Sequence, residues 1–329
     1  MVAAELLTLE AAITGAVAAG TIYLLAATGE VLTERSGILN LGLEGIMLMG
    51  AAASFIFTLS FGHLAGIVAS MVVGALMALL LVSFVVTLRL NQVVTGLALT
   101  MFGTGLSGFI GAPEVRRSIV KMLNPSVPEE VVLLNQAPRL PDAPIPVLKD
   151  LPIVGKAFFN HNLIVYASLI FAILLWVLLF RTKWGLSIRS VGENPAMADA
   201  LGVNVYRIRY LSTMIGGALA GLSGAYLFLG YQPFWVEQIT RGRGFIALAL
   251  VILAAWSPLR AILVAYLFGG IEAFQYRVPL LGLGAQTPQF VLMLPYAVTI
   301  LTLVILSFSK VRRRIGAPAA LGVPYSREE

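Results

Sequence analysis

The amino-acid sequence predicts an all-α integral membrane protein, a polytopic helical bundle with about nine (eight to ten) transmembrane helices. Of its 329 residues, 59% are hydrophobic and only 12% are charged, and the mean hydropathy is +0.92. A soluble chain carries about 25% charged residues to cover its surface. Apolar segments of about 20 residues, long enough to cross the bilayer core as a helix, recur along the whole chain. We therefore predict a single transmembrane domain, residues 1–329.

The hydropathy pattern places the helices near 11–29, 38–60, 64–88, 93–111, 162–180, 208–230, 244–257, 259–276 and 288–308. The segment 244–257 is short for a span, and Pro258 follows it directly. It is predicted to be a broken or re-entrant element, which membranes tolerate where protein or a water-filled cavity covers the freed backbone groups. The first ten residues contain Glu5 and Glu10 but no Lys or Arg. A signal peptide begins with positive charge, so the first span is predicted to be retained.

The distribution of Lys and Arg predicts the orientation, because short cytoplasmic loops carry an excess of them. The loop 181–209 and the tail 310–329 are both rich in these residues, and four predicted spans separate them. Both are therefore predicted to be cytoplasmic, with the N-terminus outside. This scheme places 112–161, the longest segment between spans, on the external face. That segment contains eight prolines, and it is either an irregular connector or a docking surface for an external partner.

Residue usage excludes several functions. The chain has no cysteine, which excludes disulfides, thiolate metal sites and cysteine nucleophiles. Its two histidines, His63 and His161, lie apart at predicted span ends, where such a side chain is usually solvated, so no metal is predicted. The net charge of +6 arises from cations at span ends, so no nucleic-acid partner is predicted. No phosphate-binding loop is present and no cofactor is predicted, so any ATP-driven activity requires a partner ATPase.

A short helix with both ends marked is predicted near 194–202, inside the cytoplasmic loop. Asn194 suits the N-cap because its side chain can accept from free backbone N–H groups, and Pro195 suits the first helical position. Gly202 can take the left-handed conformation that ends a helix. A helix of about two turns is unstable alone, so its Ala/Met/Leu face must be covered. The cover is either the protein's own helix ends or a cytoplasmic partner, and the residues favour neither.

Polar groups inside the predicted spans are the candidates for a substrate path, because a charge at the bilayer centre costs about 2.5–3.5 kcal/mol. Asn40 and Glu44 are four residues apart and are predicted to share a helix face. They either hydrogen-bond a polar substrate or hold a neighbouring broken helix, and for Glu44 the structural role is slightly favoured. The other candidates for the path are Asn91, Gln92, Thr95, Glu272 and Gln275.

Each of these other candidates also has a simpler interpretation. Asn91, Gln92 and Thr95 lie at the entry of a span, where helix capping is a sufficient explanation. Glu272 and Gln275 lie late in the 259–276 span, three residues apart, and either line a vestibule or meet water near the membrane edge.

The run R-G-R-G-F at 241–245 is predicted to be external. Its arginines are interpreted as pairing locally with Glu237, with attraction of an anionic partner as the alternative. The aromatic residues 226–235 just before it form an interfacial belt by default, or stack on a nucleobase or sugar.

Four segments carry a resemblance to a known family. They are RTKWGLSIRSVGENPAMADALGVNVYRIRY at 181–210, LTERSGILNLGLEGIMLMGA at 32–51, NQVVTGLALTMFGTGLSGF at 91–109 and GRGFIALALVILAAWSPLRAILVAYLFGG at 242–270. Together they cover about a third of the chain and occur in the family's order. The chain resembles permease subunits of ABC importers in the branched-chain amino acid and ribose family. Within this family it resembles the shorter of the two permeases that nucleoside-type importers pair.

The resemblance implies a fold like that of the vitamin-B12 importer permease, with two inverted halves of five helices, in the bacterial inner membrane. It implies three protein partners, namely a second permease subunit, a cytoplasmic ATP-binding-cassette ATPase and an external substrate-binding lipoprotein. The implied substrate is small and polar, a nucleoside, with simple sugars or branched-chain amino acids as alternatives. The positions that match the family's ATPase-coupling element are Glu193, Asn194, Pro195, Met197, Asp199, Leu201 and Gly202.

Two other functions compete with this hypothesis. A stand-alone secondary transporter needs coupling-ion sites in broken helices, for which Glu44 or Glu272 could serve. It leaves the two-turn loop helix without an obvious role. An intramembrane enzyme is the least favoured, because the chain has no cysteine, no paired histidines and no carboxylate pair at a recognisable catalytic spacing. The chain is therefore predicted not to be an enzyme itself.

Overall fold

The computed structural model describes residues 2–146, 149, 154–275, 293–307 and 316–326. In these ranges the chain forms fourteen α helices, and the only strand pairings are two isolated bridges. Six helices are long and apolar enough to cross a membrane: Glu10–Arg35, Leu43–Phe61, His63–Thr87, Gln92–Gly111, Leu163–Arg181 and Val205–Tyr231. The chain is therefore an all-α, multi-pass membrane protein.

In chain order the helices are α1 (Val2–Arg35), α2 (Leu43–Phe61), α3 (His63–Val82), α4 (Gln92–Gly111), α5 (Pro113–Leu123), α6 (Glu129–Leu133), α7 (Val154–Phe159), α8 (Leu163–Arg181), α9 (Lys183–Glu193), α10 (Pro195–Ala200), α11 (Val205–Tyr226), α12 (Arg243–Leu253), α13 (Pro258–Gln275) and α14 (Leu294–Ser307). The helices α3 and α11 continue into π-helical turns, Ser83–Thr87 and Leu227–Tyr231. Each predicted span overlaps one of these helices. Parts of the predicted spans 259–276 and 288–308 and of the predicted basic tail 310–329 lie outside the described residues, namely 276, 288–292, 308–315 and 327–329.

The helices α1, α2 and α11 form the centre of the bundle. In the most apolar stretch of α2, 94% of the residues are buried, compared with 83% for the α11 span. The corresponding share is only 28% for α4 and 33% for α8. A helix enclosed by others is buried on all sides, whereas one that faces lipid keeps an exposed apolar side. The helices α3, α4 and α8 therefore form the lipid-facing periphery.

Small residues bring the central helices into close contact. A Cβ atom at Gly50 of α2 would lie 2.4 Å from the carbonyl oxygen of Gly221 in α11. A Cβ atom at Gly74 of α3 would lie 2.2 Å from the carbonyl oxygen of Gly217. These approaches leave no room for a side chain, so the small residues at these positions serve helix packing.

The helix α12 is too short to cross the membrane, since its 11 residues rise only about 16 Å, roughly half of the bilayer core. It ends in a tight turn in which Ala255 and Trp256 have positive φ angles of 45° and 51°. The Nε atom of Arg35, at the end of α1, donates to the Trp256 carbonyl at 3.0 Å and fixes this turn in place. The predicted broken element is thus a half-helix followed directly by α13.

The described part of the segment 112–161 is partly helical, with irregular stretches between its helices. It contains α5, α6 and α7. The fully buried side chain of Arg116 holds α5 and α6 together, since its Nε atom donates to the Val132 carbonyl at 2.9 Å. Its guanidinium also lies 4.7 Å from the centre of the Phe55 ring in α2. Burial lowers the pKa of Arg116 from its ordinary value, but such a strong base remains charged at neutral pH.

His161, at the end of this segment, is buried rather than solvated, contrary to the prediction. Its Nε2 atom lies 2.9 Å from the carbonyl oxygen of Ala157. Burial lowers the pKa of the imidazole below its ordinary value, which favours the neutral form at pH 7.

The parts predicted to be cytoplasmic lie together on one face of the bundle. The described C-terminal residues 316–326 fold back onto this face. The backbone N–H of Ala320 donates to the carbonyl of Gly192, at the end of α9, at 2.9 Å. The N–H of Gly322 donates to the carbonyl of Gly37, just after α1, at 3.1 Å. The C-terminal segment therefore connects the loop before α10 to the connection between α1 and α2.

Candidate functional site

A buried ion pair joins α12 to α13. The Nη2 atom of Arg243 lies 2.5 Å from Oε1 of Glu272, and the two side chains are only 5% and 4% exposed. Tyr23 of α1 donates to Oε2 of Glu272 at 2.6 Å. The hydroxyl of Tyr231, at the end of the α11 span, lies 3.4 Å from Oε1. These contacts compensate the buried charges, which would otherwise be strongly destabilising.

The ion pair lies inside the membrane-spanning part of the bundle. Tyr23, which contacts Glu272, precedes Arg35 at the end of α1 by 12 positions, or about 18 Å along the helix axis. It follows Glu10, the first residue of the apolar span, by 13 positions, or about 20 Å. The bilayer core is about 30 Å thick, so the pair is far from both surfaces.

The carboxylate of Glu44, in the first turn of α2, caps the N-terminus of α12. Its Oε1 atom accepts from the Thr240 hydroxyl at 2.5 Å and from the Gly242 backbone N–H at 2.7 Å. Its Oε2 atom accepts from the Gly244 N–H at 2.6 Å. The free N–H groups of a first helical turn form the positive end of the helix dipole and favour a carboxylate there. Through these bonds Glu44 holds the start of α12 against α2.

A cavity of about 160 Å³ adjoins the ion pair, close to the capped end of α12. Its walls come from α1, α12, α13 and α14, and its lining includes Tyr23, Arg243, Ile246, Glu272, Gln275 and Tyr296. Of the residues predicted for the path, Glu272 and Gln275 therefore line one cavity. Glu44 lies beside this cavity, at the capped end of α12. Asn91 and Gln92 line a second cavity of about 290 Å³, together with Gly322 of the C-terminal segment. Asn40 and Thr95 line neither of these two cavities.

Asn40 does not share a helix face with Glu44, and that prediction is wrong. The helix α2 begins at Leu43, so Asn40 lies in the connection from α1. Its Nδ2 atom donates to Oε2 of Glu30 at 3.0 Å, and its Oδ1 atom accepts from the Gly42 N–H at 3.0 Å. A bond from an asparagine side chain to the backbone two residues on is a turn contact that competes with the helix. The apolar pattern of 38–60 does not reveal this turn.

Asn91, Gln92 and Thr95 organise the start of α4. Asn91 is the N-cap, and its Oδ1 atom accepts from two first-turn N–H groups at 3.0 and 3.1 Å. The Oε1 atom of Gln92 accepts from the Leu39 N–H at 2.7 Å, which ties α4 to the connection before α2. The Thr95 hydroxyl donates to the carbonyl of Asn91 at 2.8 Å. The contacts of Asn91 agree with the capping interpretation, whereas Gln92 connects two elements and Thr95 bonds within its own helix.

The short helix α10 lies where its capping residues predict. The Oδ1 atom of Asn194 accepts from the Met197 N–H at 3.0 Å, and Pro195 is the first helical residue. Gly202 has a φ angle of +83° and donates to the carbonyl of Asp199 at 2.8 Å. Both ends of α10 are thus stabilised by local contacts.

The apolar face of α10 is only partly covered by the described part of the chain. Ala198 is buried, whereas Met197 and Leu201 are 64% and 82% exposed. Glu193, just before α10, accepts from the N–H of Ala319 in the C-terminal segment at 3.2 Å. The large apolar side chains of Met197 and Leu201 therefore project from α10 and its C-cap, while the C-terminal segment contacts the chain just before this helix.

The sequence model of the family described as "Branched-chain amino acid transport system / permease component" matches residues 12–303. The chain belongs to this permease family. It is thus the permease component of an ABC transporter.

Several relatives match over nearly their whole length. The permease is 38% identical to a putative glucose ABC transporter permease of Haloferax volcanii, covering 95% of this chain and 96% of the relative. It is 37% identical to a guanosine ABC transporter permease of Bacillus subtilis, covering 92% of both chains. Two nucleoside ABC transporter permeases of Lactococcus lactis match at 32% identity over 94% of both chains, and at 25% over 76% of this chain and 68% of the relative. No solved structure matches the permease significantly.

The sequence pattern does not identify Arg243, Tyr23 or Tyr296 as parts of this site. Arg243 was interpreted as an external residue that pairs with Glu237, and this is wrong, because it is buried and pairs with Glu272. The available signal was Glu272 itself, since a carboxylate within an apolar span requires a partner. An arginine next to a half-length apolar helix is a suitable one.

Proposed function

We propose that this permease forms half of the translocation path of an ATP-driven importer for nucleosides in the bacterial inner membrane. The relatives named for guanosine and nucleosides support this substrate class, because they match over nearly the whole chain. A simple sugar is the second candidate, which the similarity to the putative glucose permease favours. In this proposal the bundle has about nine spanning segments and a fold like that of the vitamin-B12 importer permease.

The observation that carries the proposal is the exposed apolar pair Met197 and Leu201 on α10. An apolar side chain that projects from a short, capped helix next to the membrane is stabilised when a partner covers it. In this proposal the partner is the ATP-binding-cassette ATPase, and the contact surface is the coupling element from Glu193 to Gly202. The C-terminal segment then transmits movement of α9 and α10 to the connection before α2, because it is bonded to both.

Two further partners belong to the proposal. The second permease is a different chain, in keeping with the two distinct Lactococcus lactis permeases that match this one. An external lipoprotein that delivers substrate docks on the folded layer formed by α5 to α7. Arg116 gives that layer a defined shape, because it is fully buried between two of its helices. Membrane lipid covers the outer sides of α3, α4 and α8.

In the proposed path, substrate passes the cavity lined by Glu272 and Gln275. The other predicted path residues support the path without lining this cavity, because their observed contacts hold the connections at the starts of α2, α4 and α12. These residues are Asn40, Glu44, Asn91, Gln92 and Thr95.

The test is ATP-driven uptake of radiolabelled guanosine and glucose by cells that produce the complete transporter. Leu201→Asp should reduce uptake at least tenfold, because a charged side chain cannot enter an apolar pocket of the ATPase, whereas Leu201→Met should retain it. The permease should remain in the membrane in both variants. Full uptake with Leu201→Asp would contradict the coupling proposal, and uptake of glucose but not guanosine would favour the sugar.

A further inference from the structure

The cavity beside Arg243 and Glu272 lies at the N-terminus of a half-helix within the membrane. Such an N-terminus attracts anions, because its free N–H groups and the helix dipole present positive charge. In transporters with broken helices, it is a place where the carboxylate of a substrate binds. The chemistry of this end of α12 therefore bears directly on which substrates the permease accepts.

In this permease the anion position is already filled by the protein. Glu44 accepts from the Gly242 and Gly244 N–H groups and from the Thr240 hydroxyl, at 2.7, 2.6 and 2.5 Å. Its carboxylate is buried. A substrate carboxylate or phosphate would have to displace the Glu44 carboxylate, which is part of the chain and cannot diffuse away. It would also be repelled by the negative charge of Glu44 at close range.

The charge of Arg243 is likewise used within the protein. Its Nε and Nη2 groups donate to Glu272, and its Nη1 group donates to the carbonyls of Ile239 and Thr240 at 3.2 and 3.3 Å. The other arginine that lines the cavity, Arg241, is exposed and so does not belong to the buried wall. The described residues of the buried wall thus present no uncompensated positive charge.

The groups that remain on this wall are neutral. They include the amide of Gln275, the rings of Tyr23 and Tyr296 and the aliphatic side chain of Ile246. The amide of Gln275 can supply a donor and an acceptor to hydroxyl groups. The Tyr23 and Tyr296 hydroxyls donate to Glu272 and to the Arg241 carbonyl, so their oxygens are acceptors for substrate. Aromatic faces pack against sugar rings or bases.

We propose that this cavity binds the neutral, hydroxyl-bearing part of the substrate during passage and excludes anionic nucleotides and the carboxylate of amino acids. This inference rests on the proposed function and narrows its substrate class. It separates nucleosides and sugars, which the cavity accepts, from branched-chain amino acids, which it does not.

Because the chain has no cysteine, a single introduced thiol can report on occupancy of the cavity. Ile246→Cys places the thiol in the cavity wall, and Gln275→Cys provides a second position. In the purified complex with its partner permease and ATPase, the rate of labelling by a small methanethiosulfonate reagent is measured. Guanosine or glucose should slow labelling at least fivefold, whereas guanosine 5′-monophosphate and leucine should change it by less than twofold.

The control is Met122→Cys, on the 79% exposed side chain of α5, whose labelling none of the compounds should slow. Glu272→Gln, combined with Ile246→Cys, leaves Arg243 uncompensated and should make the monophosphate protective. If that combination fails to fold, the single-cysteine results decide alone. Protection by leucine or the monophosphate equal to that by guanosine would overturn the inference. The inference would also be overturned if neither guanosine nor glucose slowed labelling at either position, or if neither introduced cysteine could be labelled.

ATP-driven uptake is measured with the same cysteine variants, so the two proposals can fail separately. Uptake of guanosine or glucose without protection would overturn the cavity inference and leave the importer function standing. ATP-driven uptake of leucine, with protection by leucine, would overturn both the cavity inference and the proposed substrate class.

Discussion

Replacing Glu272 with glutamine leaves the Arg243 guanidinium in the membrane interior without a counterion. The two side chains are 5% and 4% exposed, so water screens them little. Removing one partner of a buried ion pair costs about 3–5 kcal/mol, because the remaining charge is uncompensated. Glutamine keeps the size of the side chain and a carbonyl acceptor for the Tyr23 hydroxyl. The loss of unfolding free energy therefore reports the charge rather than the packing.

The measurement is thermal unfolding of the purified permease–ATPase complex in detergent. At an unfolding entropy of about 2.1 cal/mol/K per residue, a loss of 1 kcal/mol lowers the Tm of a chain of 329 residues by about 1.5 °C. Glu272→Gln should therefore lower the Tm by about 4–7 °C. Arg243→Gln should have a similar effect, whereas the double variant should recover at least half of the loss, because no isolated charge remains. The control is Glu237→Gln, because Glu237 is an exposed residue in the loop before α12. This substitution should change the free energy of unfolding by less than about 0.5 kcal/mol.

Two results would refute this reasoning. One is a loss below about 1 kcal/mol in Glu272→Gln, the value typical of an exposed pair. The other is a double variant whose loss equals the sum of the two single losses, which would mean that the charges do not stabilise each other.

Three further predictions concern topology, packing and the C-terminal segment. Single cysteines at Ser126 and Ser190 should react with impermeant reagents from opposite sides of the membrane, and labelling of both from one side would overturn the assigned orientation. Gly224→Leu should prevent stable assembly, because its Cβ would lie 1.9 Å from the Met47 carbonyl oxygen in α2. Gly108→Leu, which meets open space, is its control, and equal expression of the two would contradict the packing account. Deletion of 316–329 should reduce uptake at least fivefold while ATP hydrolysis continues, and unchanged uptake would show that this segment does not transmit movement.

The features that the sequence predicts well are local ones. The span positions follow from runs of apolar residues, and the caps of α10 follow from Asn194, Pro195 and Gly202, which act within a few residues of their own position. Likewise, Asn91 caps α4 through contacts with the residues that follow it. Short-range hydrogen bonding requires no knowledge of the tertiary structure, so these predictions depend on the sequence alone.

The features that the sequence does not reveal depend on contacts between distant residues. Glu272 reaches Tyr23 across 249 positions, and Glu44 reaches Gly244 across 200. Asn40 turns toward Glu30 because the chain changes direction between α1 and α2. The hydropathy pattern does not predict that turn, since 38–42 is nearly as apolar as the helix that follows. Charge placement likewise predicts an external Arg243, because it takes no account of how the loop before α12 packs into the bundle.

The most direct test of the central claim is transport by the purified permease with and without its motor. Reconstituted in liposomes with the second permease, the ATPase and the delivering lipoprotein, it should take up guanosine only when ATP is present on the ATPase side. Without the ATPase it should take up none, whatever ion gradient is imposed. Uptake by the permease alone, driven by a proton or sodium gradient, would contradict the account and identify the chain as a secondary transporter.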